Sequence, residues 1–300
     1  MKLSRRALLA GVLAAPLTAP LAGRASARER PTGPGNFRSL MGADGWYAKS
    51  ANIFGHEVHL EVGGWRGSKG AVRGQDDAVQ VSSQQKQIRL LVRNTPEYRR
   101  HPNDDNVEAT KRRSERVPGG RVPAGQTARW AICFKYDSDL VEPEKQFVVS
   151  QIHTGNGSPS LGIRVLGTGR LIATIRSSAN YAGNGDTVPL GRLAPGEPCC
   201  ISAEVRLDRR LGLLRIWRDG ELVYEMEGTP DAPWGFGNPG ATYLFEKGGV
   251  YSAGGLGRNP KAWAAVTFDN VRWLPLGTDV TARQLAAFNA EAPRWPWPND

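Results

Sequence analysis

The sequence predicts an all-β fold, a sandwich of two antiparallel sheets, and three observations carry the prediction. Short segments that alternate apolar and polar residues recur along the chain, the period of half-buried strands. Turn residues punctuate them, 36 Gly and 21 Pro in 300 residues, as in sandwiches and barrels rather than alternating β and α units. No internal repeat and no Rossmann or P-loop glycine pattern appears.

The N-terminus stands apart from that pattern. Lys2, Arg5 and Arg6 precede an apolar run from Ala7 to Leu17, and Ala25-Ser26-Ala27 offers a small-residue cleavage site. Ser4-Arg5-Arg6-Ala7-Leu8-Leu9 resembles a twin-arginine export signal, and the apolar run is too short to span a bilayer comfortably. The expectation is a signal peptide over residues 1–27 and a single domain over 28–300. The product would be a periplasmic or secreted monomer without stable membrane insertion. An uncleaved N-terminal anchor is the less favoured alternative.

Charge narrows the partner. The chain carries a net +10, of which only Lys2, Arg5, Arg6 and Arg24 precede Arg28. A basic exported protein suits an anionic partner, either an acidic polysaccharide, a nucleic acid or a membrane surface. The basic residues are dispersed rather than clustered, and export disfavours nucleic acid. Cys133, Cys199 and Cys200 form no C-x-x-C pair and no zinc-like cluster. A disulfide from Cys133 to either neighbour and a set of buried free thiols both fit.

In chain order, Phe37 to Gly74 is a Gly-rich lead-in with weak strands around Glu57–Val62, and Ile88 to Arg93 is a firmer strand. Glu97 to Asp105 reads as a polar surface loop. Val107 to Val117, if extended, puts Lys111, Arg113 and Glu115 on one face, and Pro118-Gly119-Gly120 ends it. Arg129 to Tyr136 alternates Trp130, Ile132, Phe134 and Tyr136 against Ala131, Cys133 and Lys135. Phe147 to His153 is the next strand, closed by Gly155, Asn156, Gly157 and Pro159. There Gln151 and His153 share one face, with Val148 and Ile152 on the other. Leu161 to Leu166 and Leu171 to Arg176 follow, with Arg164, Thr174 and Arg176 opposite their apolar residues.

Ile201 to Leu207, Leu213 to Trp217 and Glu221 to Met226 are strands, the last two joined at Asp219-Gly220, a strong hairpin signal. Ala241 to Tyr251 places Lys247 and Tyr251 on one face, with Gly248 and Gly249 admitting close approach of a ligand. Val266 to Trp273 closes the strands. Thr278 to Asn289 reads as a short helix with Val280, Leu285, Ala286 and Phe288 apolar, before a Trp/Pro tail.

Three patches then stand in order: Arg113-Ser114-Glu115, Gln151-Ile152-His153 and Lys247-Gly248-Gly249-Val250-Tyr251. Together they resemble the R-S/T-E, Q-I/V-H and Y-F-K-x-G-x-Y patches of the jelly-roll polysaccharide lyases, which include alginate, glucuronan and heparin-lyase-I-like enzymes. The resemblance spans roughly Lys111 to Tyr251. It departs from the alginate-lyase form at Arg116-Val117, where that form has Leu-Arg, and at Phe245-Glu246, where it has Tyr-Phe.

The resemblance implies a concanavalin A-like β-jelly-roll with a concave substrate groove, and β-elimination on a uronic-acid-containing polysaccharide. The residue types suit that chemistry. Arg113 and Gln151 would neutralise the uronate carboxylate so that the C5 proton can leave. His153 has an imidazole suited to taking a proton near neutrality. Tyr251 would protonate the leaving oxygen, and the resemblance implies that it can also serve as the base. Lys247, Arg164, Arg176 and Lys111 are expected substrate contacts, and Glu115 a structural ion-pair partner of the arginines. No cofactor or metal is expected: His56-x-x-His59 lacks a helix and an acidic third ligand, although some heparin-lyase-like relatives use calcium. A non-catalytic carbohydrate-binding sandwich is the alternative, and the absence of an E-x-D-x-x-E-like strand motif counts against a glycoside hydrolase.

Overall fold

The alternation of Trp130, Ile132, Phe134 and Tyr136 belongs to a strand buried on one face, and it builds the long central strand β8 (Thr127–Ser138). The computed structural model describes residues 38–39, 50–53, 56–62, 78–82, 87–94, 112–118, 121–140, 142–155 and 157–276. These all fall in the unit Gly33–Asp300. Among the described residues there is no helix, and the strands form two antiparallel sheets.

The first sheet runs β1 (Arg38–Ser39), β4 (Val79–Ser82), β5 (Gln87–Arg93), β17 (Trp263–Leu276), β8, β13 (Pro198–Arg206), β14 (Leu213–Arg218) and β15 (Glu221–Glu227). The second runs β12 (Asp186–Arg192), β11 (Arg170–Ile175), β10 (Leu161–Leu166), β9 (Gln146–His153), β16 (Tyr243–Ser252), β6 (Arg112–Pro118), β3 (His56–Val62) and β2 (Ser50–Ile53). The two-residue β7 (Val122–Pro123) pairs with the start of β16.

Between the sheets lies one apolar core, to which β8 contributes its four aromatic and aliphatic residues, β10 Leu161, Ile163 and Val165, and β11 Leu171, Ala173 and Ile175. Each fully buried large side chain is worth roughly 1.5–3 kcal/mol in apolar transfer. The strands expected around these residues are therefore present. At the β14–β15 hairpin, Asp219 and Gly220 have φ of 49° and 87°, the left-handed pair that a two-residue turn matching strand twist requires. Asp219 also accepts a hydrogen bond from the Cys200 N–H at 2.8 Å.

The strand β12 has no counterpart in the sequence reading. It is an edge strand, buried only at Leu190 and carrying Pro189, so it lacks the apolar period that marks a strand in sequence. The expected signal peptide, the helix at Thr278–Asn289 and the C-terminal tail lie outside the described residues.

The cysteine alternatives resolve through register. Cys200 stands directly opposite Cys133 on neighbouring strands, and these two form the disulfide. Cys199, one residue away, faces the core as a buried free thiol, and burial pushes its pKa up to about 12.

The disulfide closes a loop with a sequence separation of 67, for which chain entropy predicts about 4 kcal/mol of stabilisation. Cys133→Ser and Cys200→Ser should each lower the melting temperature markedly and remove its sensitivity to reductant. Cys199→Ala should retain that sensitivity, as read by thermal denaturation with and without dithiothreitol.

Candidate active site

The three sequence patches lie on β9, β16 and β6, which are consecutive neighbours in the second sheet. Register lines up their side chains on the face away from the core. Gln151 pairs with Lys247 on one side and Gly162 on the other. His153 pairs with Phe245, and Tyr251 pairs with Arg113 and with Val148.

Strict alternation would put Val148 and Ile152 together under Gln151 and His153. The structure corrects this. Register shifts on both sides of Val148–Ser150, against β10 and against β16, so the strand changes face there. Phe147, Val149 and Ile152 belong to the core cluster and Val148 does not. Val148 instead sits between Arg164 and Tyr251 in register.

At the centre is Glu115, 1% exposed. Its Oε1 accepts a 2.5 Å hydrogen bond from Gln151 Nε2, and its Oε2 pairs with Arg113 Nε at 3.0 Å. The Arg113 guanidinium carbon stands 5.0 Å from the centre of the Tyr251 ring, in cation–π range. Arg113, Glu115, Gln151 and Tyr251 are thus one connected unit. Ser114, on the opposite face of β6, anchors it by donating to the Ala78 carbonyl at 2.7 Å.

His153 closes one end. Its Nδ1 accepts the Gly155 N–H at 2.9 Å, so a neutral ring carries its proton on Nε2. Its ring lies 5.4 Å from that of Phe245, which is 6.0 Å from Tyr243. Lys247 Nζ lies 5.7 Å from the centre of the Phe245 ring, and the Arg121 guanidinium 4.3 Å from that of Tyr243. Tyr243, Phe245 and Lys247 form a strip on β16 running into Tyr251. In sequence Phe245 stands out only as a departure from the motif, although its parity with Lys247 and Tyr251 is a signal that it shares their face.

The remaining expected contacts separate. Arg164 lies in the same register row as Val148 and Tyr251. Arg176 is 7% exposed and donates to the carbonyls of Pro159 at 2.8 Å and Gly183 at 3.2 Å, bracing loops at the end of the sheet. Lys111 lies outside the described residues. No group of His, Cys, Asp and Glu suited to a metal ion occurs among the described residues. A cavity of about 820 Å³ between loops 207–211 and 238–242 contains none of the site residues, so the candidate site is the open sheet face.

Removing the negative charge from the centre tests the unit. Glu115→Gln takes it from a pair whose side chains are 13% and 2% exposed, and breaking a buried pair costs about 3 kcal/mol or more. Chemical denaturation should show that loss, whereas wild-type stability would mean that Glu115 does not hold the site together.

No family model and no curated protein matches the chain. Solved structures do. Alginate lyase A1-II′, a family 7 enzyme, matches in a substrate complex of a form with one histidine changed to asparagine and one tyrosine to phenylalanine. That match has a TM-score of 0.53 and 10% identity, covering 75% of this chain and 95% of that one. A product complex of the same lyase with only the tyrosine changed gives 0.51 and 11%, over 73% and 94%. An endo-β-1,4-glucuronan lyase from the fungus Trichoderma reesei gives 0.47 and 14%, over 80% and 94%. Those alignments that reach 0.5 establish the fold: this chain is a β-jelly-roll sandwich of the kind seen in the family 7 alginate lyases.

Proposed function

We propose that the protein is a polysaccharide lyase that cleaves a uronic-acid-containing polysaccharide, such as alginate or glucuronan, by β-elimination. The observation that carries this reading is the convergence of Arg113, Gln151, His153, Lys247 and Tyr251 on adjoining strands, with Arg113 and Gln151 tied together through the buried Glu115 carboxylate. The fold likeness to alginate lyases supports it. So does the substrate complex of one of them, obtained in a form altered at a histidine and a tyrosine.

In this reaction the C5 proton of a uronate leaves, the electron pair forms the C4–C5 double bond, and the C4–O bond breaks. The proton must reach the departing oxygen, and the carboxylate must be neutralised for C5–H to ionise. Gln151 spends one amide hydrogen on Glu115 and keeps its other for substrate. With Nδ1 occupied by Gly155 N–H, His153 presents Nε2–H and so acts as a donor toward the carboxylate. Tyr251 is left as the group that takes the C5 proton as phenolate and returns it to the leaving oxygen. Glu115 orients Arg113 against the Tyr251 ring and takes no proton.

The strip of Tyr243 and Phe245 offers rings for sugar stacking beside His153. Export to an oxidising compartment by the twin-arginine-type signal fits the Cys133–Cys200 disulfide.

Ultraviolet absorbance of the new conjugated double bond checks the reading directly. Purified protein mixed separately with alginate, glucuronan and heparin should produce a rise with one of them. Saturable binding without a rise would instead mark a carbohydrate-binding sandwich. Tyr251→Phe should lower kcat by about 10³-fold or more. His153→Gln retains a donor but cannot titrate, and should keep much more activity than Tyr251→Phe. Equal loss in both would make His153 the base.

A further inference from the structure

Arg164 is a half-buried cation with no hydrogen bond or ion pair among the described residues. It pairs in register with Ile172 and Val148 on β11 and β9, and its Nε is sealed from solvent with no hydrogen-bond partner. A Cβ placed on Gly162 would lie 3.5 Å from Arg164 Nε and 3.8 Å from Nη2. The guanidinium therefore lies over Gly162, within van der Waals reach of where a Cβ would stand. Gly162 pairs with Gln151, and Gln151 with Lys247, so the guanidinium flanks Gln151 on the side away from Lys247.

A sealed guanidinium N–H without an acceptor is costly, and native structures rarely leave one without cause. Burial and then the Arg176 charge press the Arg164 pKa down, and only Tyr251 acts in the opposite direction. The surroundings of Arg164 thus favour an arriving anion. Arg113, by contrast, has its charge matched by Glu115.

We infer that Arg164 receives the carboxylate of the uronate residue seated over Gln151, supplying the uncompensated positive charge that Arg113 does not. The inference rests on the lyase reading and deepens it, since it gives the reacting sugar's carboxylate a position between Arg164 and Gln151. A charge-assisted contact of this kind is worth about 10- to 100-fold in binding.

Thermal melting and steady-state kinetics of Arg164→Met and Arg164→Lys test it, with the polyuronate that raises absorbance in the wild-type protein as probe. Without polymer, Arg164→Met should melt at or above the wild-type temperature, because an apolar chain of similar length replaces an unanswered charge. Polymer should raise the wild-type melting temperature, and this rise should disappear in Arg164→Met. Its KM should increase about 10- to 100-fold, with partial recovery in Arg164→Lys. A lower melting temperature for Arg164→Met without polymer would make the arginine structural and overturn the inference. So would an unchanged KM, and in that case wild-type cleavage would leave the lyase reading standing. A wild-type protein that neither cleaves nor is stabilised by any polyuronate would overturn both.

Discussion

A carboxylate sealed inside a sheet must be answered from within, and Glu115 imposes that requirement on everything around it. An uncompensated buried charge costs several kcal/mol, so the positions of its partners are tightly constrained. One partner, Arg113, is two residues away on the same strand. Another, Gln151, is on β9, two strands away, with β16 between them. The residue of β16 that stands opposite Glu115 is Gly249. Gly249 has φ of 150°, and a Cβ there would come within 2.2 Å of the Ser114 carbonyl oxygen and 2.7 Å of Glu115 Cα. A glycine at this position lets β6 close on β16, and with no side chain there Glu115 can reach Gln151.

The face change at Val148–Ser150 is the second constraint. Without it, Phe147 and Val149 would share a face with Gln151 and His153, and the core would lose two large side chains or the site would lose its polar pair. The shifted register lets one strand satisfy both demands. It also brings Val148 into line with Arg164 and Tyr251, so a small apolar residue separates the two groups.

Most strands were legible from period and turn chemistry, because each buries one face against a common core. β8 reads directly from Trp130, Ile132, Phe134 and Tyr136, and the hairpin from Asp219-Gly220. β12 was not legible, because an exposed edge strand has no apolar stripe to display. The patches on β6, β9 and β16 were legible as residue types and spacing. Their connection through Glu115 was not, since a carboxylate reaching across an intervening strand depends on pairing order, which no local pattern encodes. The face of Val148 failed for a related reason: alternation assumes unbroken register. Cys133 could be matched to Cys200 rather than Cys199 only once β8 and β13 were aligned.

The treatment of arginine on the two sheets separates structural charge from available charge. Across β8, β13, β14 and β15, register sets Arg129, Glu204, Arg215 and Glu225 in one row, with ion pairs of 2.6, 2.9 and 2.5 Å. Every cation in that row has an anion beside it, as cross-strand pairing favours. On the second sheet Arg113 is matched by Glu115, and Arg176 is held by backbone carbonyls. Arg164 has no acidic residue opposite it in register: its positions on β9 and β11 are Val148 and Ile172. Arg113, Arg129 and Arg215 each keep a carboxylate and Arg176 keeps backbone carbonyls, whereas Arg164, beside Tyr251, has neither among the described residues. The charge is better understood as half of a pair whose other half arrives with the ligand.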